Sequence, residues 1–191
     1  CPRITDTDAA IEILRELGAV VTVHNDYITV NPAYAVRYEI PDRLMRKMRS
    51  SIMFLGAILT RSGRALVSFP GGCELGQRPI DLHLAALSAM GVKIEESYGF
   101  LDCYTDGLKG CEITLSFPSV GATENIMLSS CLIPGITVIE NAAKEPHIVD
   151  LANFLNTMGA RVSGAGTDTI KIKGVKQLHG GTYAVIPDQI E

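Results

Sequence analysis

Side chains able to do chemistry concentrate in one glycine-rich stretch, Phe69-Pro70-Gly71-Gly72-Cys73-Glu74-Leu75-Gly76-Gln77-Arg78-Pro79-Ile80-Asp81-Leu82-His83. Two adjacent glycines, a proline and a further glycine make an exposed, adaptable loop, and such loops carry function more often than cores do. Cys73 sits at its tip. It serves as nucleophile or proton donor if neighbours such as Arg78 tune its pKa, and is an incidental surface thiol if they do not. Arg78, Asp81 and His83 suit a polar, anionic ligand. Pro79 and Asp81 equally suit the first turn of a helix, where a missing N–H costs little and a carboxylate complements the dipole.

A second stretch, Ser119-Val120-Gly121-Ala122-Thr123-Glu124-Asn125, follows a strand ending near Leu115 and leads into a helix. Small residues there let backbone N–H groups approach a phosphate, although plain N-capping by Ser119 or Thr123 explains the same pattern. The stretch matches neither of the glycine-rich nucleotide fingerprints. Arg49, near the middle of a helical segment, reads as a solvated charge. His24, His147 and His179 lack metal-ligand spacing and read as structural or exposed, so neither a metal nor a cofactor is expected.

The elements that must position these loops repeat along the chain. Leu17-Gly18-Ala19-Val20-Val21, Met90-Gly91-Val92-Lys93-Ile94 and Met158-Gly159-Ala160-Arg161-Val162 each join the end of a helix to a strand, with glycines 73 and 68 residues apart. Glycine just past a helix takes the left-handed conformation at little cost. The preceding segments space Ala10, Leu14 and Leu17, then Ile80, Leu84 and Leu87, then Ile148, Leu151, Leu155 and Met158 as one apolar helix face. After each glycine the chain alternates and turns back through Asn25-Asp26, Tyr98-Gly99 or Gly164-Ala165-Gly166, which predicts three β-hairpins. Upstream of the later two, Gly63–Ser68 and Gly135–Glu140 read as strands, each preceded by a helix; the first of these helices carries Leu44, Met48, Ile52, Leu55 and Leu59. A full unit is therefore strand, helix, strand, helix, hairpin (βαβαββ), about 70 residues long. The chain divides into a partial repeat 1–33, repeats 34–106 and 107–174, and an exit strand 175–191. The first unit lacks its strand-helix-strand half and the chain opens Cys1-Pro2, so it is expected to be cut from something longer. Three units of this kind bury their helix stripes most economically against one another, giving a single α/β domain with helices inside and mixed sheets outside.

Composition narrows the partners. With 17 Lys+Arg against 21 Asp+Glu the net charge is −4, without the basic excess that binding to a phosphate backbone requires, so nucleic acid is not expected. The longest apolar run, Ile52 to Leu59, falls well short of the roughly 20 residues that span a bilayer. Cys1, Cys73, Cys103, Cys111 and Cys131 form no C-x-x-C pair, which fits reduced thiols in a cytoplasm.

Taken together, Pro70-Gly71-Gly72-Cys73 with Arg78 to His83, Ser119 to Asn125, Glu140-Asn141-Ala142-Ala143-Lys144-Glu145-Pro146 and Ile186-Pro187-Asp188-Gln189-Ile190-Glu191 resemble the UDP-N-acetylglucosamine 1-carboxyvinyltransferase family across the whole chain. The resemblance implies one of two domains, an inside-out α/β barrel of βαβαββ repeats, in an enzyme of peptidoglycan synthesis. Its substrates would be phosphoenolpyruvate and UDP-N-acetylglucosamine, and the second domain would complete the cleft. It implies that Cys73 is the catalytic loop cysteine, a proton donor toward the phosphoenolpyruvate methylene that also forms a covalent adduct and is alkylated by fosfomycin. Arg49 would lie at the phosphoenolpyruvate end of the cleft. Arg78, Pro79, Asp81, Leu82 and His83 would line the uridine and phosphoenolpyruvate region, and Ser119, Val120 and Gly121 the diphosphate side. The 5-enolpyruvylshikimate-3-phosphate synthases share the fold but lack the P-G-G-C loop. Gln189 and Phe117 stand where many or some members carry Arg and Lys, and a non-catalytic UDP-sugar-binding or interaction module is the alternative reading.

Overall fold

The computed structural model describes residues 4–71 and 80–187. Its contacts divide the chain into two compact units, Cys1–Arg78 with Lys93–Tyr104, and Pro79–Val92 with Thr105–Glu191.

In the first unit, helix α1 (Thr5–Glu16) leads into the hairpin β1 (Val20–Val23) and β2 (Ile28–Asn31), paired antiparallel. The buried face of α1 is Ala9, Ile13 and Leu17, one i, i+4 row, with Ile11 joining Ala19 and Val21 in a small apolar cluster. Leu14, expected on the buried face, is only partly covered by that cluster.

The segment from Leu44 to Leu59 is not one helix. It is a short α2 (Asp42–Met45), a 3-10 turn (Arg49–Ile52) and α3 (Met53–Ser62). Met48, extended at φ −144° and ψ 147°, separates the first two. Periodicity runs through the break because Leu44, Met48, Ile52, Leu55 and Leu59 are all buried regardless. Beyond α3, β3 (Arg64–Ser68) pairs antiparallel with β5 (Phe100–Tyr104), which pairs with β4 (Lys93–Ser97). Tyr38–Ile40 flanks the other edge of β3: Leu66 N donates to Tyr38 O, Ile40 N donates to Leu66 O, and Glu39 forms a parallel bridge with Leu66.

The second unit starts with α4 (Asp81–Ala89) and contains β6 (Glu112–Thr114), α5 (Val120–Ser130), β7 (Ile136–Glu140), α6 (Pro146–Thr157), β8 (Val162–Ser163) and β9 (Thr169–Lys173). Its strands lie in the order β6-β7-β9-β8, with β6 parallel to β7 and the other pairs antiparallel. That is the order of Glu39, β3, β5 and β4 in the first unit, so the repeat seen in sequence is a repeat of sheet topology. Helix α5 packs on α4, α6, β7 and β9. Ala122, Thr123, Asn125, Ile126, Met127, Ser129 and Ser130 are all buried, which makes α5 the centre of this unit. Burying a side chain such as Ile126 or Met127 contributes roughly 1.5–3 kcal/mol each.

The repeated glycines close their helices identically. Gly18, Gly91 and Gly159 have φ of +102°, +103° and +91°. Each donates its N–H three residues back, to Arg15, Ser88 and Asn156, and the next residue donates five back, to Leu14, Leu87 and Leu155. This pair of bonds is the Schellman closure. The hairpin turns also follow their sequences, with Tyr98 and Gly99 both at positive φ, as a tight two-residue turn demands. From Val175 to Pro187 no strand forms.

Candidate functional site

The expected site residues fall in both units. Cys73, Arg78, Pro79 and Gln189 lie outside the described residues.

In the first unit, Arg49 opens the 3-10 turn and is not in a helix middle as expected. The turn is tied down by a backbone oxygen: Ser51 Oγ, fully buried, donates to Met45 O at 2.8 Å. The same carbonyl accepts the N–H of Gly71 at 3.0 Å. Gly71 thus roots the chain leading to the Cys73 loop on the carbonyl that holds the Arg49 turn. A Cβ at Gly71 would lie 2.1 Å from Arg46 O, a backbone atom, so only glycine fits this approach. Asp42 accepts both of its 2.8 Å contacts from Arg46 Nε, and this hydrogen bond draws the Asp42 carboxyl below its ordinary range.

In the second unit, α4 carries Asp81, Leu82 and His83 and the start of α5 carries Ser119, Val120 and Gly121, and the two helices bring His83 against Gly121. Asp81 is exposed at the start of α4, Leu82 is half-buried, and His83 is 6% exposed. The His83 ring lies against the first turn of α5, where a Cβ added to Gly121 would be 3.2 Å from both Cε1 and Nε2. Ser119 is the N-cap of α5, its Oγ accepting the Ala122 N–H at 3.4 Å. Its capping role and its place beside the His83 ring's neighbour are compatible, because capping uses the side chain and leaves other N–H groups of the first turn for a ligand. Thr123, the other expected cap, instead accepts the N–H of Ala143 through Oγ1 at 3.1 Å.

That last bond is part of a bracket formed by Glu140 to Pro146. Asn141, at φ +56°, donates from Nδ2 to Leu115 O at 2.9 Å, and Thr114 Oγ1 donates to Glu140 Oε2 at 2.8 Å. Asn tolerates the left-handed region better than other non-glycine residues, which accounts for its presence at this corner. The bracket holds the end of β7 to the strand and helix that flank the Ser119 turn.

Two features escaped the sequence reading. Asn125, 1% exposed, has Nδ2 3.1 Å from His83 Nδ1. Glu124, half-buried, has its carboxyl pushed up, chiefly by burial and also by the Glu145 carboxylate, with His147 opposing. Glu145 occupies the N-cap position of α6 without a side-chain capping bond, and its buried Oε2 has no hydrogen-bond partner among the described residues. The sequence signal was a Glu-Asn pair in the middle of a helix that is mostly small and apolar.

The three cysteines among the described residues are Cys103, Cys111 and Cys131. Cys103 and Cys131 are buried, and burial lifts both to about 11, Asp102 adding to the effect at Cys103. Cys111, half-buried, is raised by burial too.

A model of the EPSP synthase (3-phosphoshikimate 1-carboxyvinyltransferase) family matches residues 1–191. The chain belongs to that family. Within the EPSP synthase family its strong resemblance is to proteins bearing a different activity name. It is 57% identical over 190 residues to UDP-N-acetylglucosamine 1-carboxyvinyltransferase 2 of Caldanaerobacter subterraneus subsp. tengcongensis, covering 100% of this chain and 46% of the relative. It is 51% identical to the protein of that name from Carboxydothermus hydrogenoformans, covering 100% of this chain and 45% of that one. The chain thus spans less than half the length of these curated relatives. Among solved structures it is similar to the enolpyruvyl transferase NikO from Streptomyces tendae, with a TM-score of 0.78, 25% identity, and coverage of 92% of this chain and 42% of that one. EPSP synthase from Acinetobacter baumannii shares the fold at a TM-score of 0.68 and 19% identity, over 94% of this chain and 41% of that one. The mixed α/β class read from the repeats is therefore the enolpyruvyl transferase fold. Among the described residues no helix is long and apolar enough to cross a membrane.

Proposed function

We propose that this chain is one domain of an enzyme that transfers the enolpyruvyl group of phosphoenolpyruvate to the 3′-hydroxyl of UDP-N-acetylglucosamine, in peptidoglycan synthesis. The observation that supports this best is the 57% identity over the whole chain to a relative named for that activity. A proton added to the methylene carbon makes C2 electrophilic; the sugar hydroxyl oxygen bonds to C2 as its proton passes to a base; the C2–O bond to phosphate then breaks, and loss of one methyl proton restores the double bond, leaving the enolpyruvyl ether and inorganic phosphate. Cys73 supplies the proton. Arg49 and Arg78 offer cationic donors to phosphoenolpyruvate, and the first turn of α5, with Ser119, Val120 and Gly121, offers backbone N–H groups to the diphosphate. Pro79, Asp81, Leu82 and His83, with Arg78, line the uridine and phosphoenolpyruvate region. The protein works in the cytoplasm, where its thiols stay reduced.

The chain alone does not turn over, because the other wall of the cleft comes from the remainder of the parent and reacting groups must be held within fractions of an ångström. The test is phosphate release from the two substrates. The intact protein is expected to release it and the 191-residue chain not. Fosfomycin is expected to modify Cys73, faster with the UDP-sugar present. An intact protein that releases no phosphate, or an adduct on Cys103, Cys111 or Cys131, would overturn the reading. Phe117, 54% exposed on the loop before Ser119, favours a second reading, a non-catalytic UDP-sugar-binding module, since it puts an apolar side chain where a cation would serve the diphosphate.

A further inference from the structure

We propose that Asn125 is a positioning residue that fixes the imidazole of His83 as its neutral Nε2–H tautomer. An amide nitrogen only donates, so with Asn125 Nδ2 at 3.1 Å the Nδ1 of His83 accepts, and the ring proton sits on Nε2. Both residues are buried, at 6% and 1% exposure, and in such surroundings a misdirected donor or acceptor is costly. The Nε2 edge is the one that lies against Gly121, at the first turn of α5. Asn125 lies four residues, about one turn, further along the same helix, and its backbone is held there by burial and by Ser129 Oγ, which donates to Asn125 O at 2.6 Å. One helix therefore supplies both the surface the ring rests on and the amide that chooses its proton.

The consequence is a donor, not a base, on the His83 edge beside the Ser119–Gly121 turn. A neutral imidazole N–H adds a hydrogen bond to an anion without burying a second charge. An aspartate at position 125 would do the opposite, accepting from Nδ1–H and drawing a proton onto the ring. The tautomer is inferred from the Asn125 Nδ2 to His83 Nδ1 contact; its use in binding the UDP-sugar rests on the proposed function.

The experiment is two-bond nitrogen–proton NMR on the intact protein with 15N-labelled histidine, His83 being assigned by the resonance lost in His83→Gln. The expected wild-type spectrum at neutral pH has an unprotonated Nδ1 and a protonated Nε2. A protonated Nδ1, alone or in an imidazolium, would overturn the assignment without any variant being made. In Asn125→Asp, Nδ1 is expected to become protonated; an unchanged His83 spectrum in the folded variant would refute the positioning role. In steady-state kinetics Asn125→Ala is expected to raise KM for the UDP-sugar about tenfold with kcat changed less, the scale of one hydrogen bond. Unchanged KM with the expected tautomer removes the binding role and leaves the proposed function standing, whereas absent wild-type turnover removes the proposed function and leaves the tautomer to be judged by its spectrum.

Discussion

The two complete repeats place a helix start at the same point of their strand order, after Tyr38–Ile40 in one and after β6 in the other, and build it in opposite ways. The Arg49 start is interrupted: α2 ends, Met48 is extended, and a 3-10 turn intervenes before α3. It is held by one carbonyl, Met45 O, serving Ser51 Oγ and Gly71 N together. Ion pairs decorate its surface, among them Lys47 to Glu12 at 2.7 Å and Arg46 to Asp42 at 2.8 Å. The Ser119 start is continuous and capped, and the helix it opens is packed on its inner face, with Gly121 under the His83 ring. A shared topology thus leaves each repeat free to position its site residue by backbone anchoring or by core packing. The two modes should fail differently under mutation.

Gly71→Val should have the largest effect. Its Cβ would meet backbone 2.1 Å away, so the strand exit must leave Met45 O. Loss of about 2–3 kcal/mol in chemical denaturation is expected, as for a backbone clash in a packed site, together with loss of at least a hundredfold in kcat of the intact enzyme. A variant of wild-type stability would show the anchor to be dispensable. Gly121→Ala should be milder, since the 3.2 Å contact is with a ring that can shift by a few tenths of an ångström. Here a cost of about 1 kcal/mol or less is expected, with a KM change for the UDP-sugar exceeding that in kcat. A kcat loss as large as that of Gly71→Val would erase the distinction between the two starts.

Glu124→Gln sharpens the comparison from the packing side. Burial raises the folded-state pKa of this carboxyl above its ordinary 4.5, so the protonated form is the one the fold prefers. Stability from this group is present below the ordinary pKa and is lost as pH rises through the folded value. Gln copies the protonated form, so Tm at neutral pH should rise by about 1–2 °C, a modest gain because solvent screens a half-exposed carboxyl. The gain should vanish near pH 4; one that persists there, or a lower Tm at neutral pH, would contradict the assignment. Smallest of all is Glu12→Ala, which removes the partner of Lys47 and Arg43. All three are exposed, and no measurable change in Tm is expected. A clear drop would mean that the surface pairs hold the Arg49 start.

Much of the fold was legible because its signals are local. The turns at Tyr98-Gly99 and Gly164-Ala165-Gly166 carry glycines at positive φ, and Gly18, Gly91 and Gly159 close helices through bonds spanning only three and five residues. The break at Met48 was not legible, because a burial period carries no information about which carbonyl Ser51 and Gly71 will claim. The apolar face of α1 was read one residue out of phase for a related reason. Ala9 and Ala10 are interchangeable to a period, and only the folded chain decides that Ala9 and Ile13 are the ones fully buried.

The candidate site divides along the same line. Sequence by itself determined the helix starts at Asp81 and Ser119, each a signal local to a few residues, and the family, which rests on short motifs spread along the chain. Only tertiary structure decided that His83 meets Asn125, 42 residues away, and that Gly121 lies beneath its ring. A histidine's chemistry is set by whichever groups face its two nitrogens, and in a folded chain those groups come from elements that sequence order keeps apart.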